Sequence, residues 1–339
     1  MNPKLRSILK YILLLSLTFI LLFFAFRGID VKKIIQGVFE ANIFWVTLSC
    51  LISVAAFISR AYRWNLLIEP LGYSPSLRNS TAALMIGYLA NLAFPRLGEV
   101  SRCGVLSKAE SVPFNKLLGT VIVERVIDVI SLLVCLLLAA FIEYKRLGNF
   151  FNEKIIAPLF GKTSQLIQSP LALTVIIVLF LVMVIGFVLI YKNAKKKKDE
   201  SWLIKIIKGF IDGLRSVAKL KRPWVFIFHS VLIWFLYFLG VYVCLFALPS
   251  TSGLGVNAAL FLLVAGGFGM SAPVQGGIGA YHFLVSQGLM LYGLSQSEGL
   301  TFATMIHSLQ ILLIIVMALV SLFLLIPGKK DTIDSKIVS

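Results

Sequence analysis

Six stretches of this sequence are apolar for long enough to cross a lipid bilayer: Ile8–Phe26, Ile43–Ser59, Leu117–Ile142, Leu171–Tyr191, Trp224–Leu248 and Gly299–Ile326. About 20 helical residues cover a hydrocarbon core ~30 Å thick. Inside lipid every backbone N–H and C=O must be satisfied within the protein, and a continuous helix does this by itself. The runs therefore predict an all-α polytopic membrane protein with about six full spans. The chain is 59% hydrophobic with a mean hydropathy of +0.93, well above the ~45–50% apolar content of soluble domains. The first run follows a basic start (Lys4, Arg6, Lys10). It exceeds the ~7–15 apolar residues of a signal peptide and lacks a small-residue cleavage site, so it is expected to stay as an anchor.

Two further apolar segments are broken rather than continuous. The first runs into Asn91-Leu-Ala-Phe-Pro95-Arg96-Leu-Gly98-Glu99-Val-Ser-Arg102, where proline removes a backbone donor and charges follow at once. The second contains Gly266-Gly267-Phe-Gly269-Met-Ser-Ala-Pro273-Val-Gln275-Gly276-Gly277-Ile-Gly279. The arm from Asn79 to Phe94 rises only ~24 Å, and its return arm, Val100 to Glu110, is short and polar. This predicts a re-entrant hairpin, since broken backbone is tolerated at membrane depth where protein or a watery cavity surrounds it. The second segment, Val256–Met270 then Ala280–Gly293, has two better arms and is compatible with re-entry or with crossing twice. Each half then reads span, span, broken segment, span, which implies an inverted repeat with a site between the breaks. One transmembrane domain is expected over 1–328, with halves 1–142 and 171–328 and a short cytoplasmic tail at 329–339.

Lysine and arginine number 32 against 15 acidic residues, a net charge of +17. In a soluble protein this balance would point to nucleic acid. Here the cations fall between apolar runs, so membrane orientation explains them. With the N-terminus inside, the inner segments 1–10, 60–78, 96–116, 192–223 and 329–339 hold 24 Lys and Arg, and the outer ones hold 7. That asymmetry predicts the cytoplasmic (inner) membrane with both termini cytoplasmic, and the anionic inner leaflet, not nucleic acid, as the partner of the basic faces. Two amphipathic stretches follow the first and fourth runs, Val31–Phe39 and residues 202–217. The longer is expected to lie in the interface, held by Lys195–Lys198, Lys205, Lys208 and Arg215; a solvated basic linker is the plain reading for 192–200. Cys50, Cys103, Cys135 and Cys244 have no paired spacing, which predicts thiols with neither metal nor disulfide.

Ionisable groups inside a span cost ~2.5–3.5 kcal/mol each on insertion scales and mark function by default. Leu117–Ile142 carries Glu124, Arg125 and Asp128. Glu124 and Asp128 share a face, and Arg125 can pair with Asp128; an interfacial position for part of the trio is the plain alternative. Asn91, Arg96, Glu99 and Arg102 lie at and after the proline break, where a cavity is expected and an ordinary cytoplasmic loop is the plain alternative. In the second half Gln275 sits among Gly276, Gly277 and Gly279, whose amides suit an anion. His282 follows on the return arm, and His307 shares a face with Gln310 in the last run. Gly161-Lys162-Thr163 is rejected as a phosphate loop because Ile156 replaces the first glycine and the segment is extracytoplasmic. No metalloprotease, nucleophile-elbow or paired-cysteine zinc pattern occurs, and no metal or cofactor is expected.

At Asn91, Pro95, Arg96, Gly98, Glu99 and Arg102, at Glu124-Arg125 with Asp128, and at Pro273 with Gly276-Gly277-Ile278-Gly279, the chain resembles the transmembrane domain of the lysylphosphatidylglycerol synthase family, also called the flippase-like domain family. The resemblance covers about residues 5–328. It implies movement of a lipid headgroup across the bilayer, as for aminoacylated phosphatidylglycerol, or handling of polyprenyl-phosphate lipids. Tyr281-His282 stands where the family often has an acidic residue, and His307 is the nearest match to an arginine in the last span. The aminoacyl-transfer domain of the full synthases has no counterpart here, so lipid aminoacylation is not expected. The resulting expectation is a flippase-like transporter of an anionic, aminoacylated or polyprenyl-phosphate lipid. The alternatives are an intramembrane enzyme or enzyme subunit in polyprenyl-linked glycan assembly, with Glu99 and Glu124 as acid and base, and a structural partner protein.

Overall fold

A computed structural model describes residues 30–151 and 220–325, together with a few positions between 16 and 28. The described residues are helical, with no strand among them. The helices are α1 (Val31–Phe39), α2 (Ile43–Ile68), α3 (Leu77–Ala93), α4 (Leu97–Glu110), α5 (Phe114–Ile142), α6 (Tyr144–Phe151), α7 (Pro223–Leu245), α8 (Val256–Ser271), α9 (Ala280–Met290) and α10 (Gln296–Leu324). Four of them, α2, α5, α7 and α10, are long and apolar enough to span. The expected runs Ile8–Phe26 (apart from a few positions) and Leu171–Tyr191, and the amphipathic stretch 202–217, lie outside the described residues.

One expected boundary is wrong. The second run does not stop at Ser59; α2 continues to Ile68 and takes Arg60 and Arg63 with it into the packed interior, where they are 5% and 0% exposed. The charges fail to end the helix because α5 supplies carboxylates to meet them. Arg60 and Arg63, expected beyond the end of the run, therefore belong to its helix.

Helix ends follow local chemistry. Asp30 caps α1 and Asn42 caps α2, each side chain accepting the N–H two residues on at 3.0 Å. Ser295 and Glu298 form a reciprocal capping box at the start of α10. Ahead of Pro95, Phe94 is forced to an extended backbone (φ −140°, ψ 127°), and α3 stops there.

Both broken segments fold back as antiparallel hairpins, α3–α4 and α8–α9. Their arms have 17 and 14 residues in the first and 16 and 11 in the second, each short of the ~20 needed to span. The first hairpin is pinned at both ends. Near its tip, Gly87 and Gly98 let the arms touch: a methyl on Gly87 would lie 2.8 Å from the Gly98 carbonyl oxygen, and one on Gly98 would collide with that of Gly87. At the open end Glu110 accepts the Ser76 N–H (2.9 Å), the Ser76 hydroxyl (2.7 Å) and an Asn79 amide hydrogen (2.9 Å). In the second hairpin Gly269 and Gly266 make room for Tyr281, whose Cα would be 2.6 Å from a methyl on Gly269.

The tips of the two hairpins meet. Gly276, in the short 3-10 turn between α8 and α9, has φ +55°, and a methyl there would come within 2.9 Å of Leu92 Cδ2 at the end of α3. The helix α10 packs along α3 and α9, through Leu84, Met85 and Ala318 on one side and Tyr281, Val285, Phe302 and Ile306 on the other. The largest apolar cluster is that between α7, α8, α9 and α10.

Candidate functional site

Where the hairpin tips meet there is a cavity of about 490 Å³. Its walls come from α2, α7 and α10, the α3–α4 break, the start of α4, Arg125 of α5, and the α8–α9 turn. The polar lining groups include Arg60, Tyr88, Asn91, Arg96, Glu99, Arg125, Tyr237 and Gln310.

Behind that wall lies a continuous ion-pair network joining α2, α4 and α5. Glu124, fully buried, is met by Arg60 at 2.7 Å, by Arg102 at 3.0 Å and by Arg63 at 3.7 Å. Asp128 is bonded by Arg63 at 2.6 Å and also by Arg60. Arg125 reaches outward to Glu99 at 2.8 Å and stands 4.0 Å from Asp128. Arg60 additionally donates to the Tyr237 hydroxyl (3.2 Å), which fixes its guanidinium between network and cavity. Arg102 lies over the Trp64 ring at 4.8 Å, a favourable cation–π placement.

The charge does not close. Four guanidiniums face three carboxylates, so one positive charge is left over within the network. Arg96, exposed at the cavity wall and without a salt bridge among the described residues, adds a second. The Nε donors of Arg60 and Arg125 and Oε2 of Glu99 are buried without hydrogen-bond partners. In a low-dielectric setting a surplus of guanidinium charge is strongly attractive to an anion. Guanidinium geometry favours the paired oxygens of phosphate or carboxylate.

Arg96 has an unusual backbone. It sits at the N-cap of α4 with φ +65° and ψ 6°, the left-handed region, and makes no cap hydrogen bond. For a residue other than glycine this conformation costs ~1–2 kcal/mol. Its capping task passes to Asn91, whose Oδ1 accepts the Gly98 N–H at 2.7 Å. Strain held at a cavity wall points towards function.

The expected site residues divide in two. Asn91, Pro95, Arg96, Glu99, Arg125, Pro273, Gly276 and Gly277 line the cavity. Arg102, Glu124 and Asp128 form the network behind it. His282 and His307 hold the glycine turn rather than face the cavity. The His307 Nε2–H donates to the Gly276 carbonyl at 2.9 Å, and His282 Nδ1 accepts the Gly279 N–H at 3.4 Å. The left-handed φ values of Gly277 and Gly279 (+77° and +86°) shape the turn they hold. Gln275 and Gly279 belong to this loop without lining the cavity. Sequence reasoning missed Arg60, Arg63, Tyr88 and Tyr237. The available signal was the apolar pattern that continues through Leu66, Leu67 and Ile68, with no helix breaker before Pro70. The four cysteines are free, and among the described residues no cluster of histidine, cysteine and acidic side chains could hold a metal.

The family described as the lysylphosphatidylglycerol synthase TM region matches residues 8–326. The chain belongs to that family. Among curated relatives it is 33% identical over 120 residues to the UPF0104 membrane protein MJ1595 of Methanocaldococcus jannaschii, covering 34% of this chain and 35% of the relative. It is 30% identical over 158 residues to the UPF0104 membrane protein MJ1078 of the same organism, covering 46% and 59%. It is 26% identical over 132 residues to the glycosyltransferase AglD of Haloferax volcanii, covering 39% and 21%. These matches span between about a fifth and three fifths of the relatives' own length. No solved structure matches. As a member of this family the chain is a multi-pass membrane protein.

Proposed function

We propose that this family member carries the anionic headgroup of a membrane lipid across the cytoplasmic membrane through the cavity between the two hairpin tips. The observation that carries the reading is the uncompensated guanidinium charge at that cavity. Arg60, Arg96 and Arg125 bind the phosphate of a phospholipid, an aminoacylated phospholipid or a polyprenyl phosphate. Glu99 occupies Arg125 when the site is empty. Both hairpins are re-entrant, entering from opposite faces as inverted repeats with both termini cytoplasmic; arms too short to span and the 24 to 7 charge asymmetry support this. The lipid tails stay in the bilayer while the headgroup passes between the tips.

A second reading, an intramembrane enzyme or subunit acting on polyprenyl-linked glycans, draws on the partial likeness to a glycosyltransferase. The geometry favours transport over it. An acid and a base would both have to face the cavity, whereas Glu124 is fully buried behind it and Glu99 alone among the carboxylates of the network lines it.

Reconstitution into liposomes with labelled phosphatidylglycerol and labelled polyprenyl phosphate separates the two. Redistribution between leaflets without chemical change, abolished by Arg96→Ala or Arg125→Ala in protein that still inserts, is the expected result. A new lipid product would replace transport by the enzyme reading, and full transport in both variants would remove the site.

A further inference from the structure

A second depression of about 440 Å³ lies on the side of the bundle between α5, α7 and α8. Its size is that of an ordinary ligand pocket, ~300–1,000 Å³. No charged side chain lines it among the described residues. Its two serines on α5 and α7, Ser131 and Ser230, spend their hydroxyls on the carbonyls of Ile127 (2.9 Å) and Phe226 (2.8 Å) one turn back. What the groove presents is therefore hydrocarbon.

The groove and the guanidinium-lined cavity are neighbours. Trp234 and Leu263 line both, standing as the partition between them. Trp234 is midway along α7, away from the helix ends where membrane tryptophans usually meet the water boundary. Its ring packs edge-on against Tyr237, which holds Arg60. Its indole N–H is buried and has no hydrogen-bond partner, an arrangement that leaves ~1–3 kcal/mol unrecovered unless an acceptor arrives. A polar chamber, a buried N–H and an apolar trough follow one another in the order of a lipid's headgroup, ester linkage and tail.

We infer that the groove between α5, α7 and α8 holds a hydrocarbon chain of the lipid whose headgroup enters the cavity, with the Trp234 N–H donated to an ester or phosphoester oxygen at the junction. The inference rests on the transport reading for the identity of the cavity, but it makes a separate claim: the tail has a fixed lateral exit. The substrate class it selects is an anionic lipid with an oxygen acceptor directly above its first methylenes. A free phosphate or a soluble anion would leave both the groove and the indole unused.

The test places photoreactive benzoylphenylalanine at Val231, which is 66% exposed in the groove, and at Leu319 on α10, which is 50% exposed outside it. The full chain is reconstituted in vesicles of phosphatidylethanolamine with a minor share of phosphatidylglycerol, irradiated, and its adducts identified by mass spectrometry. The expected result is enrichment of phosphatidylglycerol at 231 above its share of the vesicle, bulk composition at 319, and loss of the enrichment in Arg125→Ala. Trp234→Phe, which removes the indole donor and leaves a smaller aromatic ring in its place, should cut the enrichment about fivefold or more, as loss of one hydrogen bond of ~1 kcal/mol predicts. Bulk composition at 231, or enrichment that survives both variants, overturns the inference. So does capture at 231 of residues 171–191 of the same chain or of a second copy. Translocation of labelled phosphatidylglycerol is followed in the same vesicles. Translocation that needs Arg125 without enrichment at 231 sinks the groove and leaves transport standing. Enrichment that needs Arg125 with no translocation supports the groove and sinks transport.

Discussion

Arg63 Nη2 lies 2.6 Å from Asp128 Oδ1, joining α2 to α5 across 65 residues of sequence with the arginine side chain fully buried. Such a pair is weak evidence for stability in itself, but removing one partner leaves a charge stranded in low dielectric at a cost of ~3–5 kcal/mol. Asp128→Ala takes from Arg63 its 2.6 Å partner, leaving only the 3.7 Å contact to Glu124, and takes from Arg60 one of its two carboxylates; it is expected to lower the unfolding midpoint in detergent clearly. Arg63→Met with Asp128→Leu should recover part of the loss, because both sides of one bond then become apolar. Equal midpoints for the native protein and Asp128→Ala would mean that the network is not formed.

The tip of the first hairpin depends on two glycines meeting, and this gives a prediction within a single helix. Gly98→Ala drives a methyl into the Gly87 carbonyl and the Asn91 side chain, whereas Gly104→Ala, six positions further along α4, meets nothing within 4 Å. Overpacking costs ~1–3 kcal/mol, while alanine is favoured over glycine inside a helix by ~1 kcal/mol. Gly98→Ala should therefore lose thermal stability and Gly104→Ala should hold or gain it. The reverse order in a melting experiment would contradict the close crossing of the arms.

Local chemistry made the helices and the two breaks legible from the residues alone. Pro95 and the glycines of 276–279 act on their own backbone, and apolar runs need only their own length to be recognised. The inner boundary of α2 was not legible, because the partners that make Arg60 and Arg63 tolerable lie 68 and 65 residues away on α5. The same distance hid the division of labour among the acidic residues. Spacing alone pairs Arg125 with Asp128, and that pair forms at 4.0 Å, but the closer partner of Arg125 is Glu99 on α4 at 2.8 Å, which no local spacing shows. His282 and His307 were found by sequence, but their task of holding the Gly276–Gly279 turn emerges only when α9 and α10 are seen side by side.

Arg96 sets stability against function. Asparagine accepts the left-handed backbone far more readily than arginine. Arg96→Asn should then raise the unfolding free energy by up to ~1 kcal/mol through relief of that strain. It should at the same time reduce transport of anionic lipid, since one cation leaves the cavity wall. A variant that is both more stable and fully active would show that the strained arginine serves no purpose at the cavity.

The pair formed by Arg125 and Glu99 allows charge and stability to be told apart. Their side chains are 42% and 24% exposed, and a pair so open to its surroundings contributes only ~0–1 kcal/mol to folding. Glu99→Gln and Arg125→Gln should therefore change the melting temperature little. Their effects on anion affinity should be opposite in sign. Glu99→Gln removes the negative charge that competes with a headgroup for Arg125, and should tighten binding of phosphatidylglycerol to the solubilised protein about fivefold, the equivalent of ~1 kcal/mol. Arg125→Gln should weaken binding by at least as much. A shuttle has to release what it binds, so the tighter Glu99→Gln variant is expected to turn over more slowly in vesicles even though it binds better. The double variant, measured as a cycle, reports whether the two residues act through each other. A coupling energy near zero would mean that Glu99 does not hold Arg125 in reserve for the headgroup.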